Sequence, residues 1–78
     1  MYATVYTKDN CPYCTKVKTV LESLGATLTV YNLGNDFTRD QFYAEFGEGS
    51  TFPQVVIDEE VIGGCTETVK YLRDQKLV

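Results

Sequence analysis

A chain of 78 residues makes one small domain, 1–78, and its net charge of −4 argues against a nucleic-acid partner, since phosphate binding needs a basic face. No apolar run approaches the roughly 20 residues that span a bilayer. Met1-Tyr2-Ala3-Thr4 lacks the basic and apolar regions of a signal peptide, so a soluble, cytosolic protein is expected.

Tyr2 to Thr7 is rich in β-branched and aromatic residues and predicts a strand. After a Cys11-Pro-Tyr-Cys14 segment, Val17, Val20, Leu21 and Leu24 recur at helical spacing, with Gly25 as the stop. Thr27 to Tyr31 predicts a second strand. Thr38 and Gln41 fit a capping box, and Phe37 and Phe42 stand where a hydrophobic staple would put them. Phe42 and Phe46 mark the inner face of that helix, which Gly47 ends. Gln54–Ile57 and Glu60–Ile62 predict a hairpin turning at Asp58-Glu59. Gly63-Gly64 breaks the chain before a last helix over about Thr66–Lys76, with Val69 and Leu72 inward. Tyr2, Tyr6 and Tyr31 alternate on strands and are expected to pack.

The order β-α-β-α-β-β-α starts with a right-handed crossover between parallel strands, and the hairpin adds two more. The expected fold is α/β and thioredoxin-like, a four-stranded mixed sheet with helices on both faces.

The function turns on Cys11 and Cys14. Three cysteines are too few, and odd in number, for a disulfide-stapled secreted domain. A four-ligand Cys/His zinc site cannot be completed within one monomer that has three cysteines and no histidine. A structural disulfide closing so short a loop would constrain the unfolded chain little. A reactive pair fits better. Cys14 continues the apolar stripe of Val17, Leu21 and Leu24 and belongs to the buried side. Cys11 sits one turn earlier, where unpaired N–H groups and the helix dipole favour negative charge. Lys8 adds to that field, and Pro12 suits the first helical turn. The Cys11 thiol is therefore expected to ionise below the free value near 8.5, in the span of roughly 3.5–7.5 known for such motifs. One exposed attacker and one sulfur in reserve is what disulfide exchange requires.

The segments "YTKDNCPYC", "TFPQV" and "GGCTE" occur in an order and spacing that resembles the dithiol glutaredoxins, over essentially the whole chain. The brevity is similar to that of short bacterial and phage members. The resemblance implies a glutathione-dependent reductase of protein disulfides and glutathione mixed disulfides. Cys11 would be its nucleophile and Cys14 its resolving thiol. Lys8 and Arg39 would meet the glycyl carboxylate of glutathione, and Tyr13 would pack along the peptide. Thr51 and Phe52 would pair with its cysteinyl backbone, next to a cis Pro53. Gly64, Cys65, Thr66 and Glu67 would receive the γ-glutamyl end at a helix N-terminus. Thr66 stands where the family often has Asp, which leaves Glu67 to face the α-ammonium. Phe52 stands where Val is usual. Cys65 reads as a small groove residue rather than a third redox partner.

The partners so implied are glutathione and disulfide-bearing or glutathionylated proteins, ribonucleotide reductase among them, with no metal. The chain would act as a monomer in the cytoplasm, the host's if it is phage-encoded. Two rivals stay open. One is a glutathione-ligated [2Fe–2S] carrier, whose members commonly have Gly or Ser at the position of Pro12. The other is an electron donor to ribonucleotide reductase fed by thioredoxin reductase, a class that usually lacks the CPYC and GGC segments.

Overall fold

The computed structural model describes residues 1–78. Its elements run β1 Tyr2–Thr7, α1 Pro12–Ser23, β2 Thr27–Asn32, α2 Arg39–Phe46, β3 Gln54–Ile57, β4 Glu60–Gly63 and α3 Cys65–Asp74. The strands form one sheet in the order β2-β1-β3-β4. β1 pairs with β2 in parallel and with β3 antiparallel, and β3 pairs antiparallel with β4. This is the mixed thioredoxin-like sheet expected from the element order.

Alternation along β1 assigns the two faces. Ala3, Val5 and Thr7 are fully or almost fully buried, and their neighbours point the other way. On the first face Ala3, Val5, Val55 and Ile57 meet Val17 and Leu21 of α1 and Leu72 of α3, which also pack against each other. Thr7 is polar but satisfied: its Oγ1 donates to the Tyr31 carbonyl at 3.2 Å and lies 3.1 Å from Asn32 Oδ1. On the opposite face Tyr6 meets Phe37 and Phe46 edge-on, with ring centroids 5.5 and 4.9 Å away. The core of α2 is thus aromatic, where that of α1 and α3 is aliphatic.

The helix signals have concrete counterparts. Thr38 Oγ1 accepts the Gln41 N–H at 3.1 Å and Gln41 Oε1 accepts the Thr38 N–H at 2.8 Å. Phe37 and Phe42 stack at 5.7 Å, completing the staple. At the end of α1, Gly25 has φ +73° and donates to the Glu22 carbonyl, while Ala26 donates to that of Leu21. This is a Schellman closure, which favours glycine because an added Cβ resists the left-handed backbone. Asp58 and Glu59 have φ 48° and 70°, the mirror-image turn that suits a two-residue hairpin.

Some boundaries and burials differ from expectation. α3 starts at Cys65 and ends at Asp74, one residue early and two residues short of the span read from the sequence. Thr68 rather than Val69 is the fully buried partner of Leu72, and Val69 is half-buried. Tyr2, at the start of β1, is 51% exposed and does not pack as a core residue. Tyr31 packs against Tyr6, with ring centroids 5.4 Å apart, but stays 40% exposed because β2 has a neighbour on one side only. No helix is long and apolar enough to cross a membrane.

Candidate active site

The site begins where β1 runs out. Asn10 has φ 55°, and this left-handed residue turns the chain into α1. The loop is tied to β2 by Asn32, whose Nδ2 donates to Asp9 Oδ1 at 3.2 Å. Asn32 carried no signal in the sequence, because only the parallel pairing of β1 with β2 brings it beside the end of β1.

Cys11 is the N-cap of α1, with extended backbone and Pro12 following at the first helical position. Its Sγ accepts the Cys14 N–H at 3.1 Å. The sulfur thus occupies the place usually taken by a capping oxygen, against the positive end of the helix. Cys11 and Cys14 form a disulfide, with Cα atoms 5.2 Å apart, so this is the oxidised form. The two sulfurs differ in access. Cys14 is 2% exposed, while Cys11 is only partly covered. Helical spacing explains it: Cys14, Val17 and Leu21 form the buried stripe of α1.

A hollow beside the disulfide is lined by Lys8, Asn10, Cys11, Pro12, Cys14, Thr15 and Lys18. A second, of about 200 Å³, is lined by Tyr13, Thr51, Phe52, Pro53, Gly64, Cys65, Thr66 and Glu67. Eight residues picked out from three separate sequence segments thus share one groove. The Phe52–Pro53 peptide is cis. Arg39, the first residue of α2, is exposed and lines neither hollow.

Two side chains are engaged in ways the sequence did not reveal. Glu67 Oε1 accepts the Gly64 N–H at 2.9 Å. This is half a capping box, since Gly64 has no side chain to return the bond. Phe52 stacks on Phe42 with centroids 4.1 Å apart, and the Lys8 ammonium lies 5.6 Å from the Phe52 centroid. The bulk of Phe52 is thereby taken up by the aromatic layer over α2.

The electrostatics run against the net charge. Lys8 and Lys18 line the hollow at the disulfide, and Lys16, Lys70 and Arg73 line another that shares Tyr13, Cys65 and Thr66 with the groove. Five of the seven basic side chains of an acidic protein therefore line these two hollows, where Asp74 is the one acidic lining residue. Such clustering favours a thiolate and an anionic ligand there. Sequence reading singled out Lys8 alone, because the others sit on exposed helix positions that look merely solubilising.

The glutaredoxin family model matches residues 3–62. The chain is 35% identical over 77 residues to glutaredoxin-C6 of Oryza sativa subsp. japonica, covering 95% of this chain and 69% of that protein. It is 38% identical over 64 residues to glutaredoxin 3 of Escherichia coli K12, covering 81% of this chain and 76% of that protein. The solved structure of a buckwheat glutaredoxin–glutathione complex is similar with a TM-score of 0.80 and 32% identity, over 96% of this chain and 71% of that one. An extensive family match, relatives above the threshold of chance resemblance, and a half-buried capping sulfur bonded to a buried one agree: this chain belongs to the glutaredoxin family and is a disulfide oxidoreductase.

Proposed function

We propose that the chain uses glutathione to reduce protein disulfides and protein–glutathione mixed disulfides. The observation that carries this reading is the unequal placement of the two sulfurs, Cys11 capping α1 and partly exposed, Cys14 on the buried stripe at 2% exposure.

In the reduced protein the Cys11 thiolate attacks one sulfur of a client disulfide. A Cys11–client mixed disulfide forms, and the other client sulfur leaves as a thiolate and takes a proton. Cys14 loses its proton and attacks Cys11 Sγ, releasing the second client thiol and closing the Cys11–Cys14 disulfide. One glutathione thiolate then attacks Cys11 Sγ, freeing Cys14. A second attacks the bound glutathione sulfur, releasing glutathione disulfide and the Cys11 thiolate. With a glutathionylated client, Cys11 takes the glutathione sulfur directly and Cys14 is not needed.

Glutathione lies along the groove in this reading. Its glycyl carboxylate faces Lys8, Tyr13 covers the peptide, and the Phe52 main chain pairs with the cysteinyl unit beside Pro53. The γ-glutamyl carboxylate meets the N-terminus of α3 at Cys65 and Thr66. The shared groove, its basic flanks and the buckwheat complex support it. The client is a cytosolic disulfide protein, ribonucleotide reductase being one candidate, and the chain acts as a monomer.

Paired variants test the proposal. Cys14→Ser is expected to keep deglutathionylation and to lose most dithiol reduction of protein disulfides, while Cys11→Ser loses both. Either activity persisting in Cys11→Ser would overturn the assignment.

A further inference from the structure

A further cavity, of about 400 Å³, opens on the face of the sheet away from α1 and α3 and holds no cysteine. Tyr6, Tyr31, Phe37, Phe42 and Phe46 supply its rings, and Asp36 and Glu45 supply its only charges. The rings are mutually arranged: Tyr6 stands 5.5 Å from Phe37 and 4.9 Å from Phe46, both edge-on, and Phe37 stacks on Phe42 at 5.7 Å. Asp36 is held in place, since its Oδ2 accepts the Asn32 N–H at 2.7 Å. Aromatic faces carry negative quadrupole potential and attract ammonium and guanidinium groups. Two carboxylates with no lysine or arginine among the lining residues add to that attraction.

We infer that this aromatic, acid-rimmed hollow receives a cationic side chain, an arginine or lysine, of a protein partner.

Charge complementarity selects the occupant: an anion would meet two carboxylates, and a neutral apolar group would leave both without a counter-charge. Continuity with the redox groove selects a protein over a free amine. Phe37 and Phe42 on the floor of the hollow stack on Phe52, at 6.1 and 4.1 Å, and Phe52 lines the groove beside Pro53. A macromolecule bound at the groove can therefore reach both places. The position of Glu45 fits the same picture, since its charge acts on the Tyr6 phenol. The proposal goes beyond the glutathione reading, and its test on the oxidised protein involves no thiol chemistry.

The experiment is a titration of the isotope-labelled, Cys11–Cys14-oxidised protein with N-acetyl-argininamide, followed by NMR at constant ionic strength. The expected result is saturable shifts of the Tyr6, Phe37 and Phe46 ring signals, with half-saturation on the order of 10 mM. N-acetyl-citrullinamide, the neutral isostere, should shift none of them. Glu45→Gln and Phe46→Leu should each weaken binding about threefold or more. Absence of saturation, equal shifts from the citrulline compound, or binding unchanged in both variants would overturn the proposal. Tighter binding of spermidine at these rings would assign the hollow to free polyamines and overturn it equally.

Discussion

Glu67 holds the N–H of Gly64 with its carboxylate at 2.9 Å, so the side chain expected to face a glutathione ammonium already caps α3. Two substitutions separate these roles. Glu67→Gln keeps an acceptor oxygen for Gly64 and removes the charge. Glu67→Ala removes both and should cost about 1 kcal/mol of stability, the usual value of a lost cap. If the charge pairs with glutathione, KM for glutathione rises in both variants while the urea midpoint falls only in Glu67→Ala. Unchanged KM in both would confine Glu67 to capping. Thr66→Asp, which installs the residue the family often has there, is expected to lower KM.

Reaction of the reduced protein with iodoacetamide across pH reports on Cys11. Its place as a sulfur N-cap, with Lys8 and Lys18 in the same hollow, predicts a thiolate that persists below the free-cysteine range near 8.5. Lys8→Ala should move the alkylation profile to higher pH without abolishing it, since the helix end remains. A profile like that of free cysteine would remove the basis of the proposed chemistry.

Gly63 has φ +124°, and a Cβ built there would lie 3.1 Å from Glu67 Cβ and Cγ. Gly63→Ala therefore combines a backbone conformation that side chains resist with a crowded approach of β4 to α3. A loss of about 1–3 kcal/mol is expected, read from denaturant unfolding. An unchanged midpoint would mean that the junction relaxes freely.

Thr68 is fully buried, and its Oγ1 has no hydrogen-bond partner. An unpaired buried hydroxyl carries a desolvation cost of about 1–3 kcal/mol. Thr68→Val keeps the shape and removes that cost, so unfolding should shift to higher denaturant. Destabilisation by valine would show that the hydroxyl is satisfied in solution.

The Tyr6 phenol is pushed above its ordinary value of 10.0, first by burial and then by Glu45 and Tyr31. Because the folded value exceeds the unfolded one, this group's contribution to stability is fully present below the unfolded value. It is lost as pH rises through the folded value. Phenolate absorbance should show one tyrosine ionising late. Glu45→Gln should bring it partway back, leaving the larger effect of burial.

Local chemistry was legible wherever residues close in sequence cooperate. The stripe Cys14, Val17 and Leu21, the Thr38–Gln41 box and the Asp58–Glu59 turn each depend on neighbours within one helical turn or one hairpin. Asn32 stayed hidden because the contact by which it ties the loop spans 23 residues, between Asp9 and Asn32. That Tyr31 packs on Tyr6 yet stays 40% exposed was not legible, because composition does not say that β2 is an edge strand.

The order of strands and helices, the site of the reactive pair and the asymmetry of its two sulfurs were set by the sequence itself. Periodicity and helix-end chemistry act over a few residues and need no distant partner. The shared groove, the gathering of five cations in an acidic chain, the capping duty of Glu67 and the acid-rimmed ring cluster were decided by the tertiary structure. Each of these joins segments far apart in the chain. Only packing against a twisted sheet determines which of their side chains meet.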